Sequence, residues 1–227
     1  MKRLKNTILV MACFVTLSTA LTACIGNDNE DNYVYTPLTS AEKSTQINNM
    51  AGTYRGKALL YLSDGYRLSK KDSADITLTV ATDSTLRINN FPLRLLTHQL
   101  TNEALKTAVK TQTTAFISNI FLYKPFGIER QITNHQDFHF FSLWNASLPS
   151  TEKIWTIKLP YTYNNEKSSM SMTLSLSRAL GLNAQELNMY NKKTNGLVYY
   201  LVPENVKWDA TLNVEPFNGF IVITAQK

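Results

Sequence analysis

Two histidines four residues apart, His135 and His139, flank Asp137, and on a helix that spacing would turn both imidazoles to one face and offer a metal ion a chelating pair. The run Phe138-His139-Phe140-Phe141 reads as a strand instead, and four residues along a strand span about 13 Å. The pair is too far apart for one ion, His98 stands alone, and no metal or other cofactor is expected. A serine nucleophile would sit in a Gly-x-Ser-x-Gly elbow and a phosphate in a glycine-rich loop; the eight glycines of the chain form neither. Glycoside hydrolysis asks only for two carboxylates at the right separation in space. Asp75, Asp137, Glu152, Glu166 and Asp209 therefore keep a small glycan hydrolase as an alternative function.

Aromatic side chains offer binding chemistry. Trp144, Trp155, Tyr161, Tyr163, Tyr199, Tyr200 and Trp208 all lie in the second half of the chain, and aromatic faces stack on sugar rings and line apolar pockets. By parity Trp155, Tyr161 and Tyr163 share a strand face, unless Pro160 introduces a bulge. Tyr199-Tyr200 sends one ring to each side of its strand. Trp155, Tyr161, Tyr163 and Tyr199 are the candidate ligand-binding residues, and packing in a core is the competing assignment for the same stripe.

The remaining chemistry is a modification. Lys2, Arg3 and Lys5 precede an apolar run from Ile8 to about Leu17, which gives way to small residues before Cys24, the layout of a secretory signal. The run is shorter than the ~18 apolar residues of a membrane span and is broken by Thr16, Ser18, Thr19 and Thr22. Leu21-Thr22-Ala23-Cys24 resembles the bacterial lipobox, which implies cleavage before Cys24, attachment of diacylglycerol and palmitate to it, and a mature protein anchored to a membrane without spanning it. The following Ile25-Gly26-Asn27-Asp28-Asn29-Glu30-Asp31-Asn32 resembles the acidic export signals of surface lipoproteins in Bacteroidetes-type bacteria. That resemblance implies an outer-membrane protein on the cell surface, with the periplasmic face as the alternative.

Charge and cysteine content narrow the partners. Three of the cationic residues behind the net charge of +6 lie in the signal, and the others are scattered among acids without the basic stripe that nucleic-acid binding requires. Cys13 and Cys24 are the two cysteines, so the mature domain has neither a disulfide nor a catalytic thiol. The expected partners are the membrane, through the lipidated N-terminus, and a glycan or a protein; nucleic acid is not among them.

Positioning falls to strands. Tyr54–Leu62, Ala74–Val80 and Leu86–Pro92 alternate as an antiparallel meander. Helical spacing of Leu105, Ala108, Val109, Phe116 and Ile120 predicts one helix from Thr101 to Phe121. Alternation resumes at Phe138–Trp144, Trp155–Leu159 and Met170–Leu176, a short helix is expected to begin near Leu182–Leu187, and Leu197–Val202, Trp208–Val214 and Phe220–Ala225 read as closing strands. Three consecutive apolar residues, Ile221 to Ile223, indicate a strand buried on both faces. Thr39-Ser40-Ala41-Glu42 has the capping-box pattern of a short helix that Ile47 and Met50 would dock.

The expected organisation is a signal at 1–23, a lipidated cysteine and polar tether at 24–49, and one domain at 50–227. The expected class is mainly β, all-β or α+β, an antiparallel barrel or sandwich of nine or ten strands with one or two helices. Gly52-Thr53-Tyr54 behind that helix resembles the Gly-x-aromatic entrance of lipocalin-like barrels, implying a carrier of an apolar ligand as a further alternative. The stretch "DITLTVATDSTLRINNFPLRLL" is similar to lipoproteins of unknown function from gut Bacteroidetes, a resemblance that implies no activity. The leading expectation is a lipid-anchored, non-enzymatic module that binds a glycan or a protein partner.

Overall fold

The computed structural model describes residues 38–65, 67–124, 135–144, 154–175, 188–210 and 213–227. The chain divides into two units, Met1–Val34 and Tyr35–Lys227, and every described residue belongs to the second. The expected signal, Cys24 and the expected helix near 182–187 lie outside the described residues.

Helix α1 (Ser40–Met50) starts where the capping box places it. The Thr39 Oγ1 accepts from the Glu42 backbone N–H at 3.2 Å, and the Glu42 carboxylate accepts from the Thr39 N–H at 2.7 Å, so two donors left open at a helix start are both satisfied. Ile47 and Met50 are buried. The helix is therefore part of the packed unit, which extends it N-terminally past the expected boundary at residue 50.

Twelve strands follow among the described residues: β1 (Gly52–Ser63), β2 (Leu68–Val80), β3 (Thr85–Pro92), β4 (Thr113–Tyr123), β5 (Phe138–Trp144), β6 (Ile154–Tyr163), β7 (Glu166–Ser175), β8 (Met189–Asn191), β9 (Gly196–Leu201), β10 (Pro203–Trp208), β11 (Asn213–Pro216) and β12 (Gly219–Gln226). Eight of them close into an antiparallel barrel in the order β1, β12, β9, β8, β5, β4, β3, β2. Around the ring this is a simple up-and-down meander with two interruptions. The chain between β5 and β8 contributes β6 and β7, that between β9 and β12 contributes β10 and β11, and these four form a second sheet in the order β11, β10, β7, β6. Because neighbouring strands alternate in direction, both interruptions leave from the barrel end where β1 finishes, and α1 sits at the end where β1 begins.

Alternation explains the core. Tyr54, Ala58 and Leu60 of β1, Ile76, Leu78 and Val80 of β2, Leu197, Tyr199 and Leu201 of β9, and Ile221, Ile223 and Ala225 of β12 are buried members of one cluster. Their neighbours on the other parity, such as Lys57, Thr77 and Arg87, point out. Val222, between two inward isoleucines, is only 8% exposed on the outer face, so β12 is buried on both sides as its apolar triplet implied. Two glycines let β1 and β12 approach: a Cβ on Gly56 would meet the Thr224 carbonyl O at 1.9 Å, and one on Gly219 the Tyr61 carbonyl O at 2.1 Å.

The segment 101–121 differs from the expected single helix. Helix α2 covers only Glu103–Val109, capped by the Asn102 side chain accepting from Leu105 N–H at 3.0 Å, and β4 begins at Thr113. A spacing of four residues, as between Phe116 and Ile120, satisfies both a helix turn and two strand repeats. Thr111, Thr113 and Thr114, with branched Cβ atoms, tip the ambiguity toward the strand. Trp208–Val214 is likewise two strands: β10 ends at Trp208 and β11 starts at Asn213. Pro160 makes no bulge, since β6 and β7 stay in register through Pro160↔Ser169. As β6 is an edge strand, the missing N–H of proline costs the sheet little. The β6–β7 hairpin turns on Asn164 and Asn165, with φ of 50° and 65°, the type I′ geometry that asparagine tolerates.

At the α1 end a polar cluster fastens helix to barrel. The Tyr54 hydroxyl donates to the Met50 carbonyl, and the Lys227 ammonium donates to the Asn49 carbonyl at 2.7 Å while lying 5.5 and 5.6 Å from the ring centres of Tyr54 and Tyr190. This satisfies carbonyls at the negative end of the helix with a cation. His139, stacked on Tyr190 at 5.7 Å, contacts Asn49 Nδ2 through Nε2 at 3.2 Å. Burial, and then the charge of Lys192, push the His139 pKa down to about 4; the ring is neutral at pH 7 and accepts from the amide.

Two outcomes are expected. Gly56→Ala should destabilise by about 1–3 kcal/mol through overpacking, read as a loss of roughly 2–4 °C in Tm per kcal/mol; an unchanged Tm would show that β1 and β12 can separate freely. For His139 the folded pKa lies below the ordinary 6.5, so its contribution is complete above pH 6.5 and is lost as pH falls toward 4. Unfolding free energies measured across that window should drop by an amount on the order of 3 kcal/mol, and His139→Phe should flatten the profile.

Candidate functional site

At the end of the barrel opposite α1 lies a groove of about 650 Å³, between the β1–β2 hairpin, the β9–β10 junction and the β11–β12 junction. Its apolar side is supplied by Leu68, Val202, Pro203, Phe217 and Phe220; Ser63, Asp64 and Asn218 bring polar groups. The backbone is held by its own hydrogen bonds. Ser63 N–H donates to the Asn218 carbonyl at 2.9 Å, Asn218 N–H donates to Gln99 Oε1 at 3.0 Å, and Phe217 N–H donates to the Glu204 carbonyl at 2.9 Å. Asp64 Oδ1 accepts from Arg67 N–H at 2.8 Å, closing the hairpin. The groove is thus a preformed concavity in the size range of small-ligand sites.

An aromatic ladder continues from it over the outer wall. Tyr61 stacks on Phe220 with centres 5.3 Å apart and planes 16° from parallel, and Tyr200 meets the other side of Phe220 at 5.9 Å. Burial, and then the neighbouring Tyr61, raise the Tyr200 pKa, so its hydroxyl remains a neutral donor and acceptor.

The sequence-predicted residues lie elsewhere. Tyr199 is fully buried in the barrel interior, and its hydroxyl has no hydrogen-bond partner among the described residues. Of the adjacent pair, it is Tyr200 that faces outward, because β9 places Leu197, Tyr199 and Leu201 inside. Tyr161 is 5% exposed and packs edge-on against Trp208 at 5.2 Å, while its hydroxyl accepts from Ala210 N–H at 3.3 Å. Tyr163, half-buried, packs on the same cluster. The side chain of Trp155 lies outside the described set. These tyrosines thus serve packing, the competing assignment of the stripe, and the groove residues Leu68, Phe217 and Phe220 were not singled out by sequence. A signal was present: Leu59-Leu60-Tyr61-Leu62 is apolar on both parities, which a strand with one solvated face does not need.

The candidate carboxylates are dispersed among the described residues. Among the described residues Asp64 is the one carboxylate lining the groove, whereas hydrolysis of a glycosidic bond needs a pair. Asp75 pairs with Lys57 at 2.6 Å, Asp137 with Lys193 at 2.7 Å, and Asp209 accepts from Ser169; Glu152 lies outside the described residues. His98, alone in sequence, meets Asp72 at 3.6 Å beside Arg94, which holds the same carboxylate at 3.1 Å. The inward positions of the barrel, Tyr54, Phe116, Phe141 and Tyr199 among them, are filled by buried side chains, which leaves the lipocalin-like carrier without a lumen among the described residues.

A family model described as Domain of unknown function (DUF4840) matches residues 49–208. The chain belongs to the DUF4840 family. No curated protein matches it. The matched span of the DUF4840 protein runs from the end of α1 to the end of β10, so β11 and the barrel-closing β12 follow it.

The placement of Tyr199 has a measurable consequence. Tyr199→Phe removes an unpaired buried hydroxyl and should leave stability unchanged or raise it by about 1 kcal/mol. A clear fall in Tm would mean that the hydroxyl is bound after all and that Tyr199 belongs to a polar site.

Proposed function

We propose that this DUF4840 protein is a lipid-anchored, non-enzymatic binding module of the cell envelope, and that the groove at the far end of its barrel takes a glycan. The supporting observation is the groove's composition and place. Its apolar side suits the C–H face of a sugar ring, and Ser63, Asp64 and Asn218 suit the hydroxyls at the ring's edge. The volume matches a few sugar units better than the flat, extended contact of a protein partner. Chain direction adds to this reading. The segment that the lipobox resemblance ties to Cys24 leads into α1 at one barrel end, and the groove opens at the other.

The test is a thermal-shift screen of the purified protein against envelope and dietary oligosaccharides. A ligand at 100 times its Kd stabilises by about 2.7 kcal/mol, which at roughly 2–4 °C per kcal/mol gives a shift of about 5–10 °C. Leu68→Asp and Asn218→Ala should abolish the shift with little change in the unliganded Tm. Absence of any shift, or one retained in both variants, would reject the groove as the site and turn attention to a protein partner.

A further inference from the structure

The β1–β2 hairpin that forms one side of the groove carries a β-bulge. Leu60 pairs with Asp72 but Tyr61 pairs with Lys70, so Lys71 is an extra residue on β2. Successive residues of a regular strand face opposite ways, and an extra one re-aims its neighbours. Asp72, across from the fully buried Leu60, takes the inward parity, and its carboxylate meets Arg94 at 3.1 Å and His98 at 3.6 Å. Lys71, next to it, and Lys70, across from the outward Tyr61, are both exposed on the outer wall. Two consecutive lysines thus share one face. Of the three register shifts among the described residues, this is the one that brings two cations together.

The same face of the hairpin lines the groove. Leu68 shares the parity of Lys70 and pairs with Ser63, both of them groove residues. The Tyr61 ring, on the residue directly across from Lys70, stacks on Phe220, another groove residue. Arg67, exposed, precedes Leu68 and adds a third cation. The nearest acids along these strands are engaged: Asp72 with Arg94 and His98, Asp75 with Lys57 at 2.6 Å, and Asp64 with the Arg67 backbone N–H at 2.8 Å. Neither lysine has an ion-pair partner among the described residues. The chain's other double lysine, Lys192-Lys193, differs in this respect, because Lys193 binds Asp137 at 2.7 Å. Like charges held side by side repel, and an anion bound against both relieves the repulsion.

We propose that the groove selects an acidic glycan, with Lys70 and Lys71 holding a carboxylate or sulfate group at its rim while the sugar ring that bears the group lies against Leu68 and Phe220. The proposal deepens the glycan reading above and rests on it. Ammonium groups suit the task, being compact charges with rotatable donors on flexible stems, so they reach the oxygens of an anion without a fixed approach. Exposed ion pairs each contribute modestly to affinity. The apolar side of the groove and the groups of Ser63 and Asn218 therefore hold the sugar, and the lysines decide between a charged ring and a neutral one. The bulge is the device that makes this choice, since without it one of the two lysines would turn to the inward parity.

The experiment titrates the purified full chain, by calorimetry, with pairs of oligosaccharides that differ in charge alone: galacturonan oligomers against their methyl esters, and sulfated against desulfated carrageenan oligomers. The acidic member of at least one pair should bind about tenfold more tightly at low ionic strength, a preference that shrinks as salt rises toward ~1 M. The pair that responds tells carboxylate from sulfate. Lys70→Gln combined with Lys71→Gln should bring both members of that pair to equal affinity at unchanged Tm, whereas Lys70→Arg combined with Lys71→Arg should keep the preference. Equal affinity for charged and neutral members in the unsubstituted protein, or a preference that survives the glutamine variant, would overturn the proposal and leave the groove as a glycan site. Competition by poly-glutamate as strong as that of the acidic oligomer would also overturn it, by showing that the face reads charge without sugar. No binding of any oligomer would remove the glycan reading and the proposal together.

Discussion

Closure of β1 on β12 is the constraint from which most of the structure follows. The two strands pair from Arg55↔Gln226 to Leu62↔Gly219, joining the first strand of the domain to the last. No edge remains in the barrel, so the strand pairing that exposed edges invite is suppressed by geometry alone. The approach is close enough that Gly56 and Gly219 face backbone carbonyls of the partner strand, where a side chain has no room. Closure also delivers Lys227 to the foot of the barrel, where it binds α1 and covers the rings of Tyr54 and Tyr190. Lys227 thereby fastens α1 to the end of β12, and the two ends of the described domain stand or fall together. Pairings of this sequence separation form late and slowly in folding.

Much of this was legible wherever a single periodicity governed a segment. The alternation of Ala74–Val80 and Met170–Leu174, the capping box at Thr39–Glu42 and the doubly buried triplet at Ile221–Ile223 all appear in the structure as the sequence implied. Failure came where one spacing served two periods, as in Phe116 and Ile120, and where strand ends depended on partners far away, as at Trp208. The ring order was beyond sequence because insertion of β6–β7 and β10–β11 separates neighbours by long excursions. Candidate site residues fared worse than strands for a related reason. Parity assigns two faces to a strand but does not say which is inside, and Tyr199-Tyr200 resolves in favour of Tyr199 indoors only through the register of β9 with β12.

The two barrel ends are finished in different ways. At the α1 end, polar side chains satisfy helix carbonyls and one neutral histidine, and the closure depends on charge and pH. At the other, the segment Leu93–Val109 and the second sheet seal the core with apolar side chains, Leu95, Leu105, Val109, Leu159, Met172 and Trp208 among them. Gln112 ties the pieces, its side chain donating to the Thr162 carbonyl at 2.7 Å and accepting from the Thr162 N–H at 2.9 Å, which supplies the edge of β6 with a surrogate strand partner. A sheet docked by side chains rather than by continuous hydrogen bonding leaves its borders with the barrel as the natural place for concave surface.

A barrel of eight strands has just enough interior for side chains to fill or for one small ligand to occupy. Here large residues take that space: Tyr54, Phe116, Phe141 and Tyr199 all turn inward and are fully buried. Filling the lumen moves any recognition to the outside, and the two inserted hairpins determine where. Both leave from one end, so that end acquires junctions, the β9–β10 and β11–β12 turns, which meet the β1–β2 hairpin around a groove. At the opposite end α1 docks Ile47 and Met50 against the core. On the proposed reading, recognition and attachment fall at opposite ends of the barrel axis, because core packing closes the middle and the inserted hairpins elaborate the mouth away from α1.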